Sequence, residues 1–281
     1  MSGRQDRQPA GGRAARAVGS FCFGLFLLLT GAVFILPGYP TALDTWPHLV
    51  RQSIVADALR GLHSPLYSFE FYCGYPALQF YGPLFALLGG ALEAVLGSGV
   101  LSLKLLLFML HLGSGLAMRG LVRRRTGSLA AASLGAALYV SVPWRVLGLG
   151  NEGNYPQALV YLLLPLVFFV LDRALDRPSA RAGALLGLAL GLCGLAHPVY
   201  AAFILLFVAV ALATRLRGAG PLCSLVLAGV LGAGVAAGWL VPMLVELHQF
   251  QYPQLPLGLR PLEPLRLFWF RAGTAGYAGG Y

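Results

Sequence analysis

Long apolar runs separated by short polar breaks recur along almost the whole chain. They fall at 19–37, 76–96, 100–121, 128–149, 155–171, 182–196, 198–214 and 221–245. Most have the roughly 20 residues that a helix needs to cross about 30 Å of hydrocarbon, and an open sheet could not satisfy its backbone there. The pattern predicts an all-α polytopic membrane protein built from transmembrane helices. Glycine recurs inside the runs, for example Gly183, Gly187 and Gly191 at every fourth position, as where two membrane helices approach closely. Composition removes the soluble alternative. Hydrophobic residues make up 58% of the chain and charged residues 11%, where an ordinary soluble domain carries roughly a quarter charged residues.

Charge adds an orientation. The net charge is +10, and Lys104 is the only lysine. The arginines gather between apolar runs: Arg4, Arg7, Arg13 and Arg16 near the start, then Arg123–Arg125, then Arg173, Arg177 and Arg181, then Arg215 and Arg217. No soluble basic face can be assembled from them, which excludes nucleic acid as a partner. The positive-inside rule places every cluster in the cytoplasm. From Arg125 onward this works, because two runs separate each cluster from the next. Between residue 17 and Arg123 there are three runs, so one must fail to cross. The run 76–96 contains Pro76, Pro83, Gly89, Gly90 and Glu93 and is expected to be re-entrant or juxtamembrane. About seven spans remain. The predicted organisation is a disordered cytoplasmic tail 1–17 and a transmembrane domain 18–245 with a first outer loop 38–75. An outer-side segment 246–281 follows, proline-rich and then glycine-rich, and is expected to be a truncated end. The run 19–37 is too long for the core of a signal peptide and is expected to be a retained first span.

In the first outer loop, Asp44, His48 and Arg51 lie at helical spacing close to one face of a predicted helix 45–62. Trp46, Val50, Ile54 and Ala58 form an apolar stripe on that helix. It is therefore expected to lie on the bilayer, with His48 and Arg51 toward water or lipid headgroups. Asp44 has two readings. It is either an N-cap ahead of Pro47, worth about 1 kcal/mol, or a general base or metal ligand at the membrane surface. Arg51 suits a phosphate through paired hydrogen bonds, and its plain alternative is a solvated helix face. The second outer loop, Asn151-Glu152-Gly153-Asn154, is either a polar turn or an acidic group approaching the first loop. His197, in Leu195-Ala196-His197-Pro198, either ends a helix or lines a polar cavity. Asp44, His48 and Arg51 are expected to line an outer-surface cavity, with Glu152 or His197 at its rim.

The remaining candidates change less. Tyr67, Phe69, Phe71, Tyr72, Tyr75, Phe80 and Tyr81 read as an interfacial aromatic belt, and His111 as a hydrogen bond inside the bundle. Cys22, Cys73, Cys193 and Cys223 have neither metal nor disulfide spacing. Walker, dinucleotide, nucleophile-elbow and zinc motifs are absent. Neither internal repeats nor polar residues within several spans, the usual marks of a transporter, are evident.

Several motifs carry a resemblance. They are Leu43-Asp44-Thr45-Trp46-Pro47-His48-Leu49-Val50-Arg51, the stretch from Gly74 to Leu84, Leu164-Pro165-Leu166, Leu195-Ala196-His197-Pro198, and Trp239-Leu240-Val241-Pro242-Met243. Over about residues 20–245 the chain resembles bacterial polytopic membrane proteins of the pyruvoyl-tetrahydropterin synthase-related domain family. Those in turn resemble the GT-C superfamily of glycosyltransferases, which use polyprenyl-phosphate sugars. The resemblance implies a GT-C-like helical bundle in which an acidic residue of the first outer loop is catalytic base or metal ligand, the place that Asp44 occupies. It departs in the second loop, where an Arg-Gly pair and a following acidic residue are expected and Glu152-Gly153 and Gln157 stand instead. Pterin-synthase chemistry is not implied, because it needs a zinc-binding histidine set that this chain does not supply.

The implied function is transfer of a sugar from a polyprenyl-phosphate donor to an extracytoplasmic acceptor. Asp44 would be catalytic, His48, Arg51, Glu152 and His197 would bind substrate, and a divalent metal is the one candidate cofactor. The setting is a bacterial inner membrane, at the cell envelope and in contact with membrane lipid. The rival is a non-catalytic membrane protein, a lipid or polymer transporter or an assembly subunit, that keeps the same shell.

Overall fold

The computed structural model describes residues 10–69, 74 and 76–246. The expected features at 1–9, at 70–73 and Tyr75, and at 247–281 lie outside the described residues. The described chain is all helix, without a strand. In order, α1 is Ala10–Ala32, α2 Thr45–Gly61, α3 Leu84–Leu96, α4 Gly99–Thr126 and α5 Leu129–Val140. Then come α6 Pro143–Leu147, α7 Pro156–Asp176, α8 Ala180–Ala196, α9 Pro198–Arg215 and α10 Leu222–Glu246. Single 3₁₀ and π turns occupy Val33–Ile35 and Gly148–Glu152.

Local chemistry sets many of these boundaries. Ser98, Ser128 and Ser179 each stand just before a helix and accept a hydrogen bond from the backbone N–H three residues on, which satisfies a donor the helix cannot. Gly127 ends α4 in the left-handed region, where a side chain would be strained. The expected tail is corrected from Ala10 onward, because residues 10–17 already belong to α1. Five helices among the described residues have the length and apolarity to cross a membrane, or six if α5 and the segment Pro143–Glu152 form one span bent by 43°. The unbroken span expected at 128–149 is thus corrected. Pro143 cannot donate to the helix before it, so the helix stops and restarts.

The ends of the bundle differ in chemistry. At one end Arg125 donates to Asp172 at 2.9 and 3.1 Å, Arg124 donates to Asp176 at 2.7 Å, and Arg215 also donates to Asp172. These bonds gather the last turns of α4, α7 and α9. Arg119 donates to Ser20 at 2.7 Å and lies over the Phe23 ring, which brings the early part of α1 to the same end. At the other end Lys104, in the first turns of α4, donates to Leu36 O at 2.5 Å and to Gly38 O. So α1 runs away from the arginine end and α4 runs back to it. The intervening α2 and α3 therefore begin and finish at one end.

Helix α3 has 13 residues, about 20 Å at the α-helical rise, which falls short of the hydrocarbon core. It packs on α2 through a polar seam. The Glu93 carboxylate accepts from Gln52 at 2.8 Å and from Ser53 at 3.0 Å, while Arg60 donates to the Glu93 carbonyl at 2.7 Å. This seam adds a buried polar face to α2. Ile54 and Ala58 of the expected apolar stripe are buried, and so are His48, Gln52 and Val55, whereas Trp46 at the head of the stripe is 65% exposed. A partner carrying a buried carboxylate selects the polar face, so α2 docks on α3.

The Gly183–Gly191 stripe of α8 meets α10. A Cβ at Gly183 would sit 2.5 Å from Ser224 O, and one at Gly187 would sit 2.7 Å from Ala228 O. Only glycine admits such an approach.

With the native cysteines removed, a Leu62→Cys side chain, in the first loop, should react with an impermeant maleimide in intact cells. An Arg177→Cys side chain, at the arginine end, should react only after permeabilisation. Labelling of both from outside would contradict this arrangement of the two ends.

Candidate functional site

Two separate loops meet at the end of the bundle opposite the arginines. Leu43 N–H donates to Asn151 O and Asp44 N–H donates to Glu152 O, both at 3.0 Å. The Thr45 and Tyr155 hydroxyls are 2.7 Å apart and buried. Gly153 sits where the loops press together, with φ +74, and a Cβ there would lie 2.9 Å from Asp44 N and 3.2 Å from Ala42 Cβ. Position 153 therefore needs glycine both for its left-handed backbone and for space.

Asp44 immediately precedes α2, and its side chain makes no capping hydrogen bond. The carboxylate is at the exposed surface and is held there through the backbone. The N-cap reading thus loses its defining bond. The Glu152 side chain is also exposed. It turns the other way, with Oε2 3.8 Å from where a Cβ of Gly148 would stand. The backbone of Glu152, not its carboxylate, is what meets Asp44.

His48 is not at the headgroup surface, where it was expected. It is 4% exposed and packed among the rings of Tyr81, Phe85 and Tyr155 at centroid distances of 5.7, 5.8 and 5.5 Å. Burial lowers its pKa to about 3, the nearby Arg51 charge adds to the fall, and a hydrogen bond with the Gly153 backbone opposes it. The imidazole is neutral at physiological pH and serves as a wall and an anchor.

Arg51 is half-buried, with its guanidinium carbon 4.7 Å from the centre of the Tyr81 ring. Tyr81 also faces His197, at a centroid distance of 6.3 Å. Burial raises the Tyr81 hydroxyl pKa, with Arg51 pulling it down and Asp44 pushing it up. Both charges of the predicted site therefore act on one phenol. His197 ends α8 and precedes Pro198 of α9. It packs on Tyr200 at 4.7 Å, and burial lowers its pKa. Its Nδ1 is buried without a hydrogen-bond partner among the described residues.

The loop that carries Tyr81 is fixed from two sides. Trp239 donates its indole N–H to Leu78 O at 2.7 Å, and a Cβ at Gly82 would come within 2.5 Å of Ala196 O. Motifs far apart in sequence (the first loop, the Gly74–Leu84 stretch, the Ala196-His197 turn and Trp239) thus converge at one place.

A neighbouring hollow of about 220 Å³ has walls that include Tyr39, Ala42, Lys104 and Tyr155, but not Asp44, His48 or Arg51. Bulky rings fill the space around His48. Among the described residues no group of three His, Cys, Asp or Glu side chains could hold a metal ion. Sequence reasoning missed Tyr81, taken as part of an aromatic belt, and Tyr155 and Thr45, whose pairing across 110 positions leaves no local signal.

The sequence matches the family described as "6-pyruvoyl-tetrahydropterin synthase related domain; membrane protein" over residues 78–256, more than half of the chain. No curated protein and no solved structure matches it.

Two outcomes follow from this geometry. Gly153→Ala should lower thermal stability in detergent by about 1–2 kcal/mol through backbone strain alone. An unchanged melting temperature would show that the loops are not pressed together there. The second concerns pH. Because His48 has a lower pKa folded than unfolded, the unfolded chain binds the proton first. Its stabilising effect is complete above about pH 6.5 and is lost as pH falls toward 3. Melting temperature should decline with acidification over that window, and His48→Gln should flatten the decline. A slope identical in the two proteins would place His48 in contact with water.

Proposed function

We propose that this chain, a member of the 6-pyruvoyl-tetrahydropterin synthase related domain family of membrane proteins, is a GT-C-like glycosyltransferase of a bacterial inner membrane. It would move a sugar from a polyprenyl-phosphate donor to an acceptor outside the cytoplasm. Seven crossings suit this role, with α8 as the shortest. Its 17 residues, Ala180–Ala196, run from beside the arginine clusters to the His197 turn beside Tyr81.

The observation that carries the proposal is the state of Asp44. Its backbone is fixed by the second loop while its carboxylate is exposed and makes no bond to the helix it precedes. Held this way, the carboxylate can take the proton of an acceptor hydroxyl as its oxygen attacks the sugar's anomeric carbon. The bond from that carbon to the phosphate oxygen breaks, its electron pair goes to the phosphate, and polyprenyl phosphate leaves. The proton returns from Asp44 to water.

Arg51 sits beside Tyr81, where its guanidinium would stabilise the leaving phosphate, and charge stabilisation of this kind is usually the largest single catalytic contribution. His48 does not share that task. Buried and neutral, it positions Tyr81, and His197 closes the far side of the same ring. The acid-base step is assigned to Asp44.

Asp44→Asn distinguishes a catalyst from a non-catalytic protein of the same shell. Asparagine keeps the shape and caps a helix about as well as aspartate, but it cannot accept the proton. Abundance in the membrane should be unchanged, and transfer from a polyprenyl-phosphate sugar should fall by about two to four powers of ten. Arg51→Lys should leave partial activity, since lysine keeps the charge but loses the planar fork. Full activity in the asparagine variant would exclude Asp44 as the base.

A further inference from the structure

A second polar centre lies within the bundle. Arg145, in α6, is 2% exposed and makes no ion pair among the described residues. Its Nη2 donates to the Ser114 hydroxyl at 2.7 Å and lies 3.4 Å from His111 Nδ1. Its guanidinium carbon stands 4.9 Å from the centre of the Tyr161 ring and 5.6 Å from that of Tyr139. His111 Nε2 is in turn 3.0 Å from the Thr30 hydroxyl. The other guanidinium nitrogen, Nη1, is buried with no hydrogen-bond partner in the described chain. A buried cation without a counter-charge is costly at membrane depth, and such residues usually mark functional sites.

The guanidinium borders a cavity of about 270 Å³, whose walls include Thr30, Phe34, His111, Val140, Arg145 and Val146. The hollow is apolar apart from the Arg145, His111, Ser141 and Thr30 groups. Among its wall residues the apolar Val33 is 64% and Val146 56% exposed, surface that suits contact with lipid. It lies toward the loop end of the bundle, between the last turns of α1 and the broken span. One cation inside an apolar hollow that opens sideways into lipid is complementary to an amphiphile with a single anionic head.

We infer that this cavity binds the headgroup phosphate of an anionic outer-leaflet lipid, with Nη1 of Arg145 donating to the phosphate and the lipid's chains leaving past Val33 and Val146. Arginine suits phosphate through its planar fork, and the bound phosphate supplies the missing counter-charge. The inference does not rest on the transferase proposal, because its readout is lipid retention and not sugar transfer.

The test uses the full-length protein purified from bilayers of equal phosphatidylglycerol and phosphatidylcholine, with co-purifying lipid counted by native mass spectrometry. Wild type should retain phosphatidylglycerol over phosphatidylcholine by about tenfold. Arg145→Gln should remove that preference. Val146→Trp, a lipid-facing change outside the hydrogen-bond network, should also remove it by plugging the mouth, which keeps the test available if the arginine variant does not fold. Added inorganic phosphate should not displace the lipid. The inference is overturned by equal retention of both lipids in wild type, by undiminished preference in both folded variants, or by displacement with inorganic phosphate, which would mark a site for free anions.

Discussion

The pairing of two loops through their backbones underlies everything at the candidate site. Near a membrane surface, an N–H or C=O that loses water must find another partner. Leu43 and Asp44 find theirs in Asn151 and Glu152. Because backbone groups make these bonds, the Asp44 carboxylate is left free to project. Gly153 makes the approach sterically feasible, and the Thr45–Tyr155 hydroxyl pair locks it in register. The position of α2 depends on this join, and with α2 go His48 and Arg51.

The two ends of the molecule use charge differently. At the arginine end, carboxylates of α7 tie helix termini together, and Asp172, nearly buried, takes two arginines at once. At the loop end, charges are sparse and lean on aromatic rings. Tyr81 links Arg51, His48 and His197 and is itself set by a loop that Trp239 and the α8 terminus hold. The rigid bundle thus supplies the frame, and rings rather than ion pairs place the groups above it.

Much of this was legible in the sequence, because the membrane imposes simple rules. Apolar run length marked the helices, and arginine parity pointed to the run that holds α3, a helix of 13 residues. The Gly183–Gly191 spacing marked the close contact with α10. The burial of the polar face of α2 was not legible, since it depends on Glu93, 41 residues from Gln52. Nor was the burial of His48, which depends on rings from two segments far from it in sequence. Arg145 was overlooked inside an apolar run, where a lone arginine is the very signal to follow. It also corrects the view that the spans hold few polar groups, because Thr30, His111, Ser114 and Arg145 form a connected set within them.

The central claim is that residues 43–44 and 151–152 form one structural unit at one face of the membrane. Cysteines placed at Leu43 and Asn151, in a chain whose native cysteines are replaced, test it directly. The 3.0 Å bond from Leu43 N to Asn151 O puts the two residues within disulfide range, which needs Cα atoms about 4.4–6.8 Å apart. Mild oxidation of membrane vesicles should close the bridge rapidly and nearly completely. A pair that stays reduced while both single cysteines react freely with maleimide would show the loops to be apart and would contradict the account.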